Sequence, residues 1–295
     1  MFAKILVPLD GSDLARKALP HAAFLAKVAG GHLVLLRAVR TWASTPHEAI
    51  ERELDQKPEI EAELQAEVRR LAADQVSAEA LVLPGEPASI IDGVAKSHDL
   101  DLIVMSTHGR GGLARWAYGS VAERVLRLAS RPLLLVPAHC EHEWVHGRKS
   151  TVLVPLDGSP LAEEALVPAK ELARALDANL SLVQVIEPPP AVAYEVPAGY
   201  GYLNVEEWVE QAKPYLTDWA KRLGSDGWAV DTDTLVGYAA ATIAELAEAE
   251  QAAAIVMATH GRSGVARVVL GSVALGVVQR ASMPVLVLRP AALSA

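Results

Sequence analysis

The chain has 295 residues, 27 of them Lys or Arg and 36 Asp or Glu, a formal net charge of −9, and 51% hydrophobic residues, figures that describe a soluble globular protein of about two domains. The lone Cys140 excludes an internal disulfide, and no apolar run reaches the roughly 18 to 20 residues of a membrane span. Met1 leads into Ile5-Leu6-Val7 without a leader segment, and an acidic chain with no Lys/Arg block has little with which to neutralise a nucleic acid, so the expectation is a cytoplasmic protein with neither membrane nor nucleic-acid partner.

From the start of the chain, short apolar segments alternate with helical patterns. Residues 5–9 read as a buried strand, and Leu14, Ala18, Ala22 and Leu25 follow at the spacing of one helix face. Residues 33–39 are the second strand, Ile60, Leu64, Val68 and Leu71 mark the next helix, and 80–83, 102–105 and 133–136 complete five strands of fully buried type. The polar run 139–149 reads as a linker between a first unit, 1–138, and a second, 150–295.

The second unit repeats the first. Ile5-Leu-Val-Pro-Leu-Asp-Gly-Ser12 returns as Val152-Leu-Val-Pro-Leu-Asp-Gly-Ser159, with 16 identities between 4–39 and 151–186 at an offset of 147. Leu161, Ala165, Ala169 and Leu172 repeat the first helix stripe. Ile103-Val-Met-Ser-Thr-His-Gly-Arg110 returns as Ile255-Val-Met-Ala-Thr-His-Gly-Arg262 at an offset of 152, and the Pro-rich stretch 187–199 that takes up the difference reads as a loop. Trp208 and Trp219 are expected to help cover the second sheet, with Pro214 kinking or dividing their helix. Alternating strand and helix imply right-handed crossovers, hence two tandem doubly wound α/β domains, each a five-stranded parallel sheet with helices on both faces.

Ligands of such sheets collect beyond the carboxyl ends of the strands, where strand order reverses. There the sequence has Pro8-Leu9-Asp10-Gly-Ser12 after strand one, and Ser106-Thr-His-Gly109-Arg110-Gly-Gly112 after strand four, then Gly119-Ser120-Val121 opening a helix. Glycines let a backbone approach a ligand closely, and a helix amino terminus offers unpaired N–H groups and the positive end of a dipole, which suits phosphate. Ser120 and Ser272 could cap those helices or bond a phosphate oxygen.

These features resemble the universal stress protein family, in the tandem form with two such domains, over essentially the whole chain. The family's ATP-binding signature is matched in spacing by Ser106-x2-Gly109-x9-Gly119-Ser120 and Ala258-x2-Gly261-x9-Gly271-Ser272, although Ser106 and Ala258 replace its first glycine. A Cβ there strains the loop if the backbone needs positive φ and is tolerated if it needs only room. The resemblance implies an adenine-nucleotide α-hydrolase-like fold. It places adenine and ribose near Asp10 and Ala38, and near Asp157 and Val185 in the second unit, with the phosphates on Gly109, Arg110, Gly119 and Ser120, and equally on Gly261, Arg262, Gly271 and Ser272. The nucleotide-binding set it implies also includes Pro8, Leu9, Met105, Ser106, Gly112 and Val121, with Pro155, Leu156, Met257, Ala258, Gly264 and Val273 as their counterparts. The ligand implied is ATP, with AMP or ADP as alternatives and magnesium accompanying the triphosphate.

Read from chemistry alone, Asp10 can accept ribose hydroxyl protons or serve as a turn residue before the helix, and Arg110 and Arg262 can pair with phosphate or stand as loop cations. His108 and His260 share that loop, but no nucleophile and base accompany them. No Gly-x4-Gly-Lys-Ser/Thr is present, so no catalytic residue is assigned and any hydrolysis is expected to be slow. His139, Cys140, His142 and His146 are metal-ligand types in a run presumed solvated, without the spacing of a zinc motif. The apolar strands that end the units need partners, and in single-domain relatives the family pairs this strand across a dimer. That implies an intramolecular pseudo-dimer, with a homodimer of chains as a further option. The function expected is a nucleotide-gated regulator of the stress response with an unknown protein partner; the alternative is a scaffold that binds no nucleotide. Gly119→Glu with Gly271→Glu is expected to abolish ATP binding and leave the fold intact.

Overall fold

Most apolar runs of the sequence become strands buried on both sides. The computed structural model describes residues 2–39, 46–107, 119–145, 150–187, 205–260 and 271–290. Its strands are β1 (Lys4–Pro8), β2 (His32–Val39), β3 (Ser77–Pro84), β4 (Leu102–Ser106) and β5 (Leu133–Val136), then β6 (Thr151–Pro155), β7 (Asn179–Ile186), β8 (Val230–Val236), β9 (Ala254–Ala258) and β10 (Val285–Leu288). The order across the sheet is β3-β2-β1-β4-β5-β10-β9-β6-β7-β8. Each half is parallel throughout, and the order reverses between β1 and β4, and between β6 and β9.

The unit-ending strands pair with each other, as their apolar edges require. β5 and β10 run antiparallel, with Leu134 opposite Leu286 and Leu135 opposite Val285, so two sheets become one of ten strands. The outermost strands depart from the expectation. Among the described residues β3 and β8 are the edges of the sheet, and every residue in them is exposed or half-buried. An apolar run such as Ala80-Leu-Val-Leu83 does not distinguish an edge strand under a helix from a central one.

The helices are α1 (Asp13–Arg16), α2 (Ala18–Ala29), α3 (Pro46–Ala73), α4 (Pro87–Ser97), α5 (Ser120–Leu128), α6 (Pro160–Glu163), α7 (Leu166–Leu176), α8 (Val205–Ser225), α9 (Ala239–Ala249) and α10 (Ser272–Arg280). Those from α1 to α3 and from α6 to α8 bury their stripes on one face, through Ala18, Ala22, Leu25 and Leu64 and through Ala165, Ala169, Leu172 and Leu216. The helices α4, α5, α9 and α10 cover the other face. The single helix expected after β1 is broken in two. Pro20 and Pro168 lack an N–H and their rings crowd the carbonyls of Arg16 and Glu164, which is where α1 and α6 end. Pro214, by contrast, does not divide α8, whose Leu216 and Leu223 are firmly in the core and hold the helix through the proline. Trp219 packs on that core; Trp208 is half-buried and does not join it.

The linker is docked, contrary to the solvated run expected. Trp144 donates its indole N–H to Ala253 O at 2.9 Å and meets the His21 ring edge-on at 4.8 Å. Lys17 Nζ reaches Ala138 O, and His21 Nε2 lies 3.0 Å from His142 O. Cys140 packs against the core, and burial pushes its thiol above the ordinary value. Residues 141–145 are not helical, His146 lies outside the described residues, and among those described no group of three or more His, Cys, Asp or Glu could hold a metal. Among the described residues no helix is long and apolar enough to cross a membrane.

Candidate functional site at the switch point

The first strand of each unit ends in a turn that its own sequence writes. Asp157 Oδ1 accepts both the backbone N–H of Ser159, at 2.9 Å, and its hydroxyl, at 2.6 Å. Ser159 Oγ in turn accepts the Ala162 N–H at 3.2 Å and caps α6. Asp10, Ser12 and Ala15 repeat this in the first unit at 2.9, 2.6 and 3.1 Å. The intervening Gly11 and Gly158 have φ of 86° and 84°, a region that a side chain disfavours. Aspartate as turn residue is therefore present, and it fixes the carboxylate at the end of the strand.

The second wall comes from the fourth strand of each unit and the helix after it. Gly119 N donates to Thr107 O and Gly271 N to Thr259 O, both at 2.9 Å. An ideal Cβ on Gly271 would lie 2.4 Å from Thr259 O, so this glycine is required for the approach of two backbones. That overturns the expectation that Gly271→Glu leaves the fold intact, because any side chain meets a carbonyl before it meets a ligand. A second correction concerns the serines: Gly119 and Gly271 are the N-caps of α5 and α10, with no side-chain cap bond, and Ser120 and Ser272 occupy the first helical position. The N–H groups at these starts are thus not capped by a side chain of the N-cap residue.

Ser106 and Ala258, in place of the signature's first glycine, are the last residues of β4 and β9, paired with Val136 and Leu288. Neither has positive φ. The position tolerates a Cβ without backbone strain.

In the second unit these walls enclose a cavity of about 380 Å³. Pro155, Leu156, Asp157, Val185, Met257, Ala258, Gly271, Ser272 and Val273 line it, so every described member of the second-unit set is brought together there. Gly261, Arg262 and Gly264 lie outside the described residues. In the first unit Pro8, Leu9 and Asp10 lie at the end of β1, Ala38 in β2, Met105 and Ser106 at the end of β4, and Gly119, Ser120 and Val121 at the start of α5. His108, Gly109, Arg110 and Gly112 are outside the described residues. The cavity is also lined by Val183, Ile186, Glu187, Ala239, Ile243 and Thr259, which the sequence reading missed. Alternation along the second strand was the signal for Val183, two residues before Val185. His260 lines the cavity too, its Nδ1 2.9 Å from Thr259 Oγ1, with no nucleophile assigned beside it.

Behind the cavity the units differ in charge. Arg37 donates to Leu9 O and, at 3.2 Å, to Glu63, while Arg16 pairs with Glu67 at 3.1 Å. The positions 147 residues on are Gln184 and Glu163. Glu163 accepts Tyr215 O–H at 3.0 Å and Trp219 N–H at 3.2 Å, and Gln184 Oε1 is buried with no hydrogen-bond partner among the described residues. Burial, reinforced by Glu163, pushes the Tyr215 phenol far above its usual range.

The model of the universal stress protein family matches residues 1–137 and 150–289. Universal stress protein Slr1230 of Synechocystis is 25% identical over 310 residues, covering 97% of this chain and 99% of its own. A universal stress protein of Mycolicibacterium smegmatis is 32% identical over 200 residues, 66% of this chain and 63% of the relative, so the match spans less than two thirds of that protein. Among solved structures, a universal stress protein from Archaeoglobus fulgidus superposes with a TM-score of 0.73 at 21% identity, covering 97% of this chain and 98% of the other, a likeness of fold. With both halves matched by one family model, and a relative aligned along nearly its full length, the chain belongs to the universal stress protein family, in its tandem two-domain form.

Proposed function

We propose that the protein binds an adenine nucleotide, ATP foremost and AMP or ADP as alternatives, at the switch point of one or both units, and acts as a nucleotide-gated regulator. The observation that carries this reading is the cavity of the second unit, which has a turn-fixed carboxylate on one side and a helix start with a glycine N-cap on the other. Val185, Ile243 and Met257 offer an apolar bed for a base, Asp157 accepts from ribose hydroxyls, and the first N–H groups of α10 receive phosphate. Arg262, with Gly261 and Gly264, belongs to the phosphate side by family resemblance, and magnesium accompanies a triphosphate. The first unit repeats the backbone frame around Asp10 and Gly119 and is assigned the same ligand. Because the units share one sheet, a ligand that tightens either switch point alters the surface offered to a protein partner in the cytoplasm. No residue is assigned a catalytic role. We take residues 139–149 as the boundary between the two binding units.

Titration with ATP of the protein and of Asp157→Asn tests the reading. The amide oxygen of asparagine still accepts from Ser159, so the turn survives while the charge facing the ribose is lost. The expected result is a second-unit site weakened about tenfold with unchanged thermal unfolding of the free protein. Wild-type affinity in the variant contradicts the assignment.

A further inference from the structure

The row of β7 that faces the cavity does not stop at Val185. Val183 and Val185 line the cavity from alternate positions of β7, and Ile186 and Glu187 continue its wall where the strand ends. Glu187 is exposed where the chain leaves β7, and its Oε1 accepts the Ala239 N–H at 2.8 Å. This bond caps α9 in place of Tyr238, which holds the N-cap position without a side-chain bond. One carboxylate oxygen is thereby fixed, and the other has no hydrogen-bond partner among the described residues. The neighbouring cavity wall, Ile186 and Ile243, is apolar.

We propose that Glu187 sets the base preference of the second unit, selecting a 6-aminopurine nucleotide over a 6-oxopurine one. The inference rests on the nucleotide reading. A purine lying on Val185 brings an edge to Glu187, whose second oxygen accepts from an exocyclic amino group and repels a keto oxygen, since an ionised carboxylate has acceptors only. The residue at the same offset in the first unit is Arg40, a donor of opposite charge, so the sequence does not repeat this acceptor and the preference belongs to the second unit.

Glu187→Gln isolates the effect, because its amide oxygen can still accept from Ala239 while an NH2 donor replaces the second oxygen. The full chain and this variant are titrated with ATP and with inosine triphosphate, and thermal unfolding without nucleotide verifies that α9 keeps its place. As residue 187 lies in the second unit alone, the change between the two proteins reports that site even where the first unit also binds. The wild-type second-unit site is expected to prefer ATP about tenfold, and the variant to bind the two nucleotides within about twofold of each other. An undiminished preference in Glu187→Gln overturns the role of Glu187 and leaves the nucleotide reading standing. No binding of either nucleotide to the wild type overturns the nucleotide reading itself, and this inference with it.

Discussion

Gly271 shows how a residue can match a binding signature and be held by packing. Its absent side chain leaves room for Thr259 O, which a Cβ would approach to 2.4 Å. Gly271→Ala is therefore expected to destabilise the protein by about 1–3 kcal/mol, measured by denaturant unfolding, with no ligand present. An unaltered midpoint would show that the loop yields without cost. The same reasoning makes Asp157 the better probe of ligand binding, since its turn bonds survive replacement by asparagine whereas the backbone contact of Gly271 tolerates no substituent. Residue types at the strand ends were legible in the sequence because Asp, Gly and Ser each have a narrow conformational use. Glu187 was not, because a single carboxylate beside a Pro-rich stretch reads as the beginning of a loop. Only the folded chain places it in the wall of the same cavity as Val185 and against the helix start it caps.

At the scale of elements, apolar runs located the five strands of the first unit, and the repeat carried their order into the second, while β8, in which Asp and Thr alternate between apolar ends, and the helices α4 and α9 were not read from the chain. What the runs did not contain is lateral position: β3 carries a strand-like sequence but forms a rim of the sheet. The linker was misread for a related reason. His139-Cys-Glu-His-Glu-Trp144 looks polar along the chain, yet Trp144 and Cys140 turn inward and backbone carbonyls meet Lys17 and His21. This docking has a titrating component. His21 is 5% exposed, and burial lowers its value below 6.5, outweighing the bonds to Lys17 O and His142 O and the nearby Glu143 that favour the charged ring, while His142 disfavours it. The unfolded chain then binds a proton that the native state resists, so stability conferred by neutral His21 is present at higher pH and is lost as pH falls from 6.5 through the lowered native value. Thermal unfolding across that window is expected to show a smaller acid-induced drop in His21→Gln than in the wild type. An equal drop would assign the acid sensitivity to other groups.

The whole molecule is a duplicated unit closed on itself by one antiparallel pair of strands. In single-domain form the same apolar strand would need a second chain; here β10 meets β5 within the chain, and the core on each face runs from one unit into the other. That these strands need a partner was legible in their apolar edges, and the family resemblance supplied the pairing of one with the other. The inequivalence of the units was only partly legible. Glu163 and Gln184 stand where the first unit has Arg16 and Arg37, but their effect becomes visible only with Tyr215 and Trp219 folded over them. Shared sheet and differing surroundings together make a molecule of two related units whose switch points have unequal surroundings. The most direct test of that account is to purify the protein without added nucleotide, denature it, and identify and quantify the released small molecules by chromatography and mass spectrometry, alongside the thermal shift produced by added ATP. The account predicts an adenine nucleotide released in stoichiometric amount, or a rise in unfolding temperature with ATP that Asp157→Asn diminishes. No released nucleotide together with no shift at saturating ATP would contradict it.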